Sequence, residues 1–518
     1  MAKEIVSSDR VSNPLGGSVI DFDGVDVVRI ENNDTKARSI VFKRTEVIFL
    51  VMLSLGFGLA LYFSIWRPYD KNKSKTVSTI DWINENGINI TSLDMYYEST
   101  ADLEPLQSIL KDVDVLFLTE NTYGDGDADM LRGRIIKYLH ETLNYNTLLY
   151  EIGMFDGMQA FFDLKTVTKS FSNKQIQSIY SQNFPDYWGK INQTQDIFYY
   201  LVDDITSDTL NNLVNNNELL ELGGFDVVGN SVYNGELTRN LTNFLLTYLP
   251  SNDQPNTAFY NILTNITNYW YITQYNLGRN GYLPSASEMT EYSSTFDSVL
   301  TTLRSMIPTA TYYDFSYWTQ IYNNTYYLAT ASFNQWSGSD NPHFTQLEQI
   351  RQSIMAENIE WWLQDNWLTP RKIIVWSNNM NAVYNQDEIP GYTCSPYTST
   401  CNIASSGDIL KAKWGKKVYT MATTAFTGKC GNSDYVPIID IKSTNNSLES
   451  LLHSTNNFPI AGIIDFVNGD LPTFLSNSIN SSSFSNYTTY YSVLPNHYDG
   501  VIIYNNQSTT NTLPASLI

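Results

Sequence analysis

Cysteine and histidine are the scarcest reactive residues in this 518-residue chain, with three Cys and four His. Neither a Cys-x-x-Cys pair nor a Cys/His cluster occurs, which excludes a structural zinc site and leaves no metal to predict. Lysine and arginine are also few, 31 against 53 acidic residues, so the net charge is −22 although only 16% of residues are charged. Without a basic face the chain is not expected to bind nucleic acid. No Gly-x-Ser-x-Gly elbow and no phosphate-binding glycine loop are present, so serine-hydrolase and nucleotide-dependent chemistry lack a signature and no cofactor is expected. What is abundant is tyrosine (36) and tryptophan (11), within 42% apolar residues overall. That is enough for a large core. The mostly uncharged polar remainder suits an extracellular or lumenal protein.

Only one long hydrophobic run exists. Val47 to Trp66 holds twenty residues without a charge, long enough at 1.5 Å per residue to cross a bilayer. A polar stretch of 46 residues precedes it, which argues for a signal-anchor helix rather than a cleaved signal peptide. Lys36, Arg38, Lys43 and Arg44 on one flank balance Arg67, Lys71, Lys73 and Lys75 on the other. Orientation is therefore read from the size asymmetry: residues 1–46 as a disordered cytoplasmic tail, 47–66 as the membrane helix, 67–100 as a juxtamembrane stem, and 101–518 as an ectodomain. This makes a single-pass type II membrane protein with the membrane as a partner. Asn89, Asn192, Asn240, Asn265, Asn323, Asn445, Asn480, Asn486 and Asn506 each open a glycosylation sequon. Cys394 and Cys401 close a short loop that an oxidising compartment could bridge as a disulfide, or they stand as free thiols.

Within the ectodomain, Ser99 to Asp112 reads as a helix and Val113 to Leu118 as a buried strand ending at Glu120. Asp127 to Leu143 has acidic residues in its first turn and apolar residues at helical spacing. Asn146 to Glu151 is a second strand, so the unit has the length of a parallel crossover. Asp125, Asp127 and Asp129 resemble the start of a calcium loop, but Met130 stands where glycine is needed, so they read as a helix N-terminus. Helical periodicity dominates about 155–365, interrupted by a strand at Glu221 to Asp226. Strands return at Ile373 to Trp376, Lys417 to Met421, Ile460 to Asp465 and Tyr498 to Tyr504. The expected fold is α/β: a mixed, largely parallel sheet flanked by helices, with a long helical insertion, preceded by one transmembrane helix. Ligands of such sheets bind beyond the carboxyl ends of the strands. Here those ends carry Glu120, Glu151, Asp226 and the 377–381 loop. The same carboxylates could equally cap the following helices or pair with Arg132 and Arg134.

Thr119-Glu-Asn-Thr-Tyr-Gly124, Arg132 on the next helix, and the strand closing at Glu151 resemble the first signature of the erythromycin esterase family. Gly224-Phe-Asp226, Arg351-Gln-x-x-Met355-Ala-x-Asn358, Val375-Trp-Ser-Asn-Asn-Met-Asn381, Ser447-Leu-Glu449 and Tyr498 to Tyr504 follow in the family's order over about 103–515. The resemblance implies an α/β core and hydrolysis of a cyclic ester by water that a histidine deprotonates. This sequence departs from it where the histidines belong, with Tyr123, Asn378 and Asn381 in their places. Tyrosine ionises near pH 10 and asparagine not at all. The reading that follows is a catalytically degenerate member, a binding or structural surface protein whose partner is a small-molecule ester or another protein. Its cleft would be lined by Glu120, Tyr123, Arg132, Glu151, Asn378, Asn381 and Asp226. The alternative is an ester or lactone hydrolase in which Glu120 or Glu151 is the base, Arg132 stabilises the oxyanion and Tyr123 donates a proton.

Overall fold

The structure is a computed structural model that describes residues 79–514, apart from 168–170, 212–218, 228–234, 258, 262, 265–284, 308–312, 337–341, 365–370, 392–402, 433, 435, 469, 473, 476–478, 482–486 and 489. All the described residues belong to one compact unit, Asp70–Ile518. The hydrophobic run 47–66, the Cys394–Cys401 loop and the sequons at Asn265 and Asn486 lie outside the described residues. Among those described, no helix is long and apolar enough to cross a membrane. Cys430 is a buried free thiol.

Eleven strands are described: β1 (Ile88–Ile90), β2 (Val115–Glu120), β3 (Thr147–Gly153), β4 (Glu221–Asp226), β5 (Ile373–Asn378), β6 (Val418–Asn432), β7 (Val436–Lys442), β8 (Ala461–Asp465), β9 (Ile479–Ser481), β10 (Tyr490–Ser492) and β11 (Gly500–Gln507). Nine form one sheet in the order β1-β8-β11-β6-β2-β5-β3-β4, with β7 on the far end of β6. From β11 to β4 every pairing is parallel, and β8, β1 and β7 join antiparallel. The expected mixed, largely parallel sheet is therefore the observed one. Its central strands are buried throughout β2 and β3 and almost throughout β5. Both faces are covered, which is why they read as continuous apolar runs rather than alternating ones.

Several boundaries differ from the sequence reading. The helix expected over Ser99 to Asp112 is confined to Pro105–Leu110, because proline, lacking an N–H, fits the first helical turn and not the interior. Residues 88–90, assigned to the stem, form β1 against β8. β6 continues eleven residues past Met421, along β11 as far as Gly428 and as a ribbon with β7 from Thr427. Gly428 (φ +121°) and Gly431 (φ +101°) there resemble turn residues in sequence yet serve a twisted, bulged ribbon. His343 lies in the first turn of the Pro342–Leu363 helix.

The insertion's helices Ala286–Met306, Tyr313–Trp336 and Pro342–Leu363 pack through aromatic rings, including stacked Phe296–Tyr322 at 4.6 Å and tilted Tyr317–Trp361 at 6.0 Å. Met154–Lys165 lies against β4 so closely that a Cβ on Gly157 would stand 2.1 Å from the Gly224 nitrogen. This approach holds the end of β4 beside β3. Gly157→Ala is expected to cost at least about 2 kcal/mol, since neither backbone can yield without disturbing the sheet. Urea denaturation of the purified protein measures it, and a loss under about 0.5 kcal/mol would show that the approach is relaxed in solution.

Candidate functional site

The parallel register aligns the strand ends. Glu120 of β2 pairs with Asn378 of β5, and Gly153 of β3 pairs with Asp226 of β4 across an irregularity after Tyr150. Four segments far apart in sequence thus deliver their last residues to one edge, where an open α/β sheet places its ligands. All seven residues expected from the sequence lie there, in two groups.

The first group is sealed. Glu120 and Arg132 are both fully buried; Arg132 Nη1 donates to Glu120 Oε2 at 2.9 Å, and Trp376 Nε1 donates to the same oxygen at 3.2 Å. The guanidinium lies over the Trp376 ring at 4.6 Å. Its Nη2 is 3.2 Å from Asp129 Oδ1 as an ion pair without hydrogen-bond alignment. Asp125, also buried, accepts the backbone N–H groups of Asn121 and Thr122 and the Tyr487 hydroxyl. One cation thus faces three buried carboxylates. Burial pushes Glu120 well above the ordinary carboxylate range against the pull of Arg132, and lifts Asp125 to about 6 and Asp129 to about 7. Asp125 and Asp129 were not expected at the site. Their i, i+4 spacing ahead of Arg132 marks one helix face, and Gly126–Leu143 is the helix N-terminus the sequence suggested. Arg134 faces elsewhere, in a bidentate pair with Asp102 at 2.7 and 2.8 Å.

The second group reaches the surface through Arg351, whose side chain is 24% exposed, while Glu151, Asp226 and Asn381 are buried. Arg351 grips Asp226 with two hydrogen bonds, 3.1 and 2.6 Å, and lies 3.4 Å from Glu151. Glu151 also accepts the Asn378 backbone N–H at 2.9 Å. Burial raises its carboxyl above the ordinary range, opposed by Arg351. Asn378 caps the short helix Asn379–Ala382, its Oδ1 accepting the Met380 N–H at 3.0 Å. Asn381 is held by Gln352 at 2.8 Å. Tyr123 stacks on Tyr187 at 4.2 Å with Trp188 edge-on at 5.6 Å. Burial, then the charge of Glu151, push the Tyr123 hydroxyl well above its ordinary pKa, so it stays protonated. Arg351, Gln352, Tyr187 and Trp376 complete the site. Three of them lie in segments the sequence had matched as motifs, but only topology shows that they converge.

The described histidines are engaged away from this edge. His140 meets the Tyr200 hydroxyl at 2.7 Å, His453 stacks on Phe426 at 3.9 Å, and His497 contacts the Tyr384 carbonyl at 2.8 Å. The Asp127 carboxylate, read as part of a helix start, accepts the Ser508 hydroxyl at 2.5 Å.

A mixed α/β sheet with carboxylates and arginines gathered at its strand ends is the frame in which open α/β folds place a ligand site. The profile of the erythromycin esterase family matches residues 209–507, and the chain belongs to that family. A Bacillus subtilis (strain 168) protein described as the putative hydrolase YbfO is 23% identical over 460 residues, 86% of this chain and 94% of that protein. Three solved structures share the fold. One is a Bacillus cereus protein (TM-score 0.65, 15% identity, 85% of this chain and 99% of that one). The others are a succinoglycan biosynthesis protein (0.62, 12%, 84% and 98%) and a mutant of erythromycin esterase EreC in its open conformation (0.58, 12%, 83% and 98%).

Proposed function

We propose that this family member has lost its general base and works as a ligand-binding or structural protein at a membrane surface. One observation carries the reading: the hydroxyl at position 123 stays protonated, and positions 378 and 381 hold amides engaged in capping and in a hydrogen bond to Gln352. None of the three can take a proton from water at neutral pH. The uncharged run 47–66 and the large segment after it support a type II anchor with the ectodomain outside or in a lumen. In that compartment the sequons would carry glycans and Cys394 could pair with Cys401.

A second reading has one specific observation in its favour. Glu151 is raised by burial and lies at the reachable end of the site beside Arg351, the properties of a carboxylate base for ester or lactone hydrolysis. The full-length protein in detergent, assayed against lactones and simple esters, is expected to show no turnover above the protein-free rate. Turnover that vanishes in Glu151→Gln would replace the binding reading with the hydrolase one. Carbonate extraction of membranes from expressing cells checks the anchor: the chain should stay in the pellet, and release into the supernatant would remove it.

A further inference from the structure

After β11 the chain passes over the Asp125 end of the sealed group. Ser508 to Leu513 makes two isolated antiparallel bridges there, Thr509 with Asp125 and Thr512 with Ile191. The Gly126 N–H donates to the Ser508 carbonyl at 2.9 Å, and the Ser508 hydroxyl donates to Asp127 Oδ1 at 2.5 Å. The Thr510 N–H donates to the Gly431 carbonyl at 3.2 Å, and Asn432 Nδ2 donates to the Thr510 carbonyl at 3.1 Å. The Asn192 N–H donates to the Asn511 carbonyl at 2.8 Å, and the Leu513 N–H to the Lys190 carbonyl at 2.9 Å. One uncharged strap thus ties together the start of the Gly126–Leu143 helix, the far end of β6 and the segment 190–193. That segment directly follows the Asp186–Gly189 turn, which lays Tyr187 on Tyr123. The strap therefore covers one group of the strand-end edge and steadies the aromatic cover of the other.

Its hold is slight for its length. Ser508, Thr509, Thr510, Asn511 and Thr512 bring no large apolar side chain, so buried Leu513 is the strap's one hydrophobic anchor. The net gain from a backbone hydrogen bond is of the same size as the entropy lost in ordering a residue, so a segment held by such bonds opens locally at little cost. What lies beneath carries surplus negative charge. Glu120 comes from β2, and Asp125, Asp127 and Asp129 from the start of the Gly126–Leu143 helix; Asp434, after β6, accepts the Thr512 hydroxyl. Among the described residues Arg132 is the one cation ion-paired with Glu120 and Asp129, and Lys190 is committed to Asp186 at 2.8 Å. Tyr487, Tyr504 and Cys430 also face Asp125; burial pushes both hydroxyls up and lifts the thiol to about 12, so they stay neutral. Asp125 and Asp129, raised by burial to about 6 and about 7, gain charge as pH climbs through that range, and burial raises Asp127 too against its bond from Ser508. Lifting the strap lets water reach this turn, where carboxylates ionise near 4. The lifted form therefore gains on the closed one as pH rises, the sign required when burial holds the protons.

We propose that residues 508–513 form a pH-governed strap, closed over the strand-end edge in acid and released near neutrality, and that its release frees the Tyr187 cover of the Glu151 group. The device is the same whether that group binds its ligand or hydrolyses it.

The experiment is hydrogen exchange read by mass spectrometry on the full-length protein in detergent, at pH 5.5 and pH 8. Rates are compared as protection factors, which removes the base catalysis of exchange itself. At both pH values the strap should be protected a hundredfold less than β2 and β3, the mark of local opening rather than unfolding of the whole domain. From pH 5.5 to pH 8 its protection should fall about tenfold, with that of 186–193 falling alongside. Asp129→Asn should keep most of the acid protection at pH 8. Leu513→Ala, away from the carboxylates, should release both segments tenfold already at pH 5.5 and leave β2 as it was. Strap protection equal to that of β2 and β3, or the same at the two pH values, would overturn the proposal. So would a fall that Asp129→Asn leaves unaltered, which removes the charge as its cause, or a 186–193 segment that stays protected while Leu513→Ala opens the strap.

Discussion

Arg132→Met is expected to destabilise the protein by about 3–5 kcal/mol, the cost of leaving a buried charge without its partner. The side chain is fully buried, is the only cation ion-paired to Glu120 and Asp129 among the described residues, and lies over Trp376. Methionine fills much of the same volume, so packing loss is small and the effect reads electrostatics. Three carboxylates then have no counter-charge, and Glu120 must fold protonated. Adding Glu120→Gln should recover a large part of the loss, because the glutamine can still accept from Trp376 Nε1 and carries no charge. Urea denaturation of wild type, single and double variants measures both steps. A single variant within about 1 kcal/mol of wild type would mean that the cluster is already neutral without the arginine.

The carboxylates of that cluster were partly legible in the sequence. Glu120 and Glu151 end apolar runs of strand length, and a strand end in a parallel sheet is where ligands bind, so their placement followed from local pattern. Their division into a sealed and a reachable group did not. That depends on strand order: β5 inserts between β2 and β3, which brings Trp376 over Arg132 and Asn378 beside Glu151 although more than 220 residues separate them. Arg351 was visible as part of a motif but not as the partner of Asp226, because the pairing joins a helix and a strand 125 residues apart. Tyr187 sits in a short helical turn without periodicity and had no signal at all. Helical periodicity was legible across about 155–365, where the helices Glu236–Tyr248, Ala286–Met306, Tyr313–Trp336 and Pro342–Leu363 form. β6 was read only as far as Met421, although the strand runs on to Asn432. Asn378 was expected to line the cleft and does lie at its edge, but its Oδ1 is committed to capping, a role that only the following backbone N–H reveals.

The same charge count predicts how stability depends on pH, and the sign is opposite to that of an ordinary salt-bridged protein. Asp125 titrates near 6 and Asp129 near 7 in the folded state, both raised chiefly by burial, with Glu120 raised as well. In the unfolded chain these groups titrate near 4. The folded state therefore holds protons that the unfolded state has released. Their contribution to stability is fully present below about pH 4 and is lost as pH rises through 6 and 7. The thermal midpoint should fall by several degrees between pH 5.5 and pH 8. Asp102 works the other way, since its pair with Arg134 and its bonds from Thr91 hold it below the usual range despite burial, so the fall at very acidic pH remains. Asp129→Asn tests the assignment. Its oxygens make no aligned hydrogen bond, so the amide removes a surplus charge and loses little. Arg132 keeps Glu120 as a balancing partner. The variant should flatten the slope between pH 6 and 8 and melt higher than wild type at pH 8, while matching it at pH 5.5. An unchanged slope would place the titrating proton elsewhere in the cluster, and a lower midpoint at pH 8 would show that Asp129 is ionised and needed by Arg132.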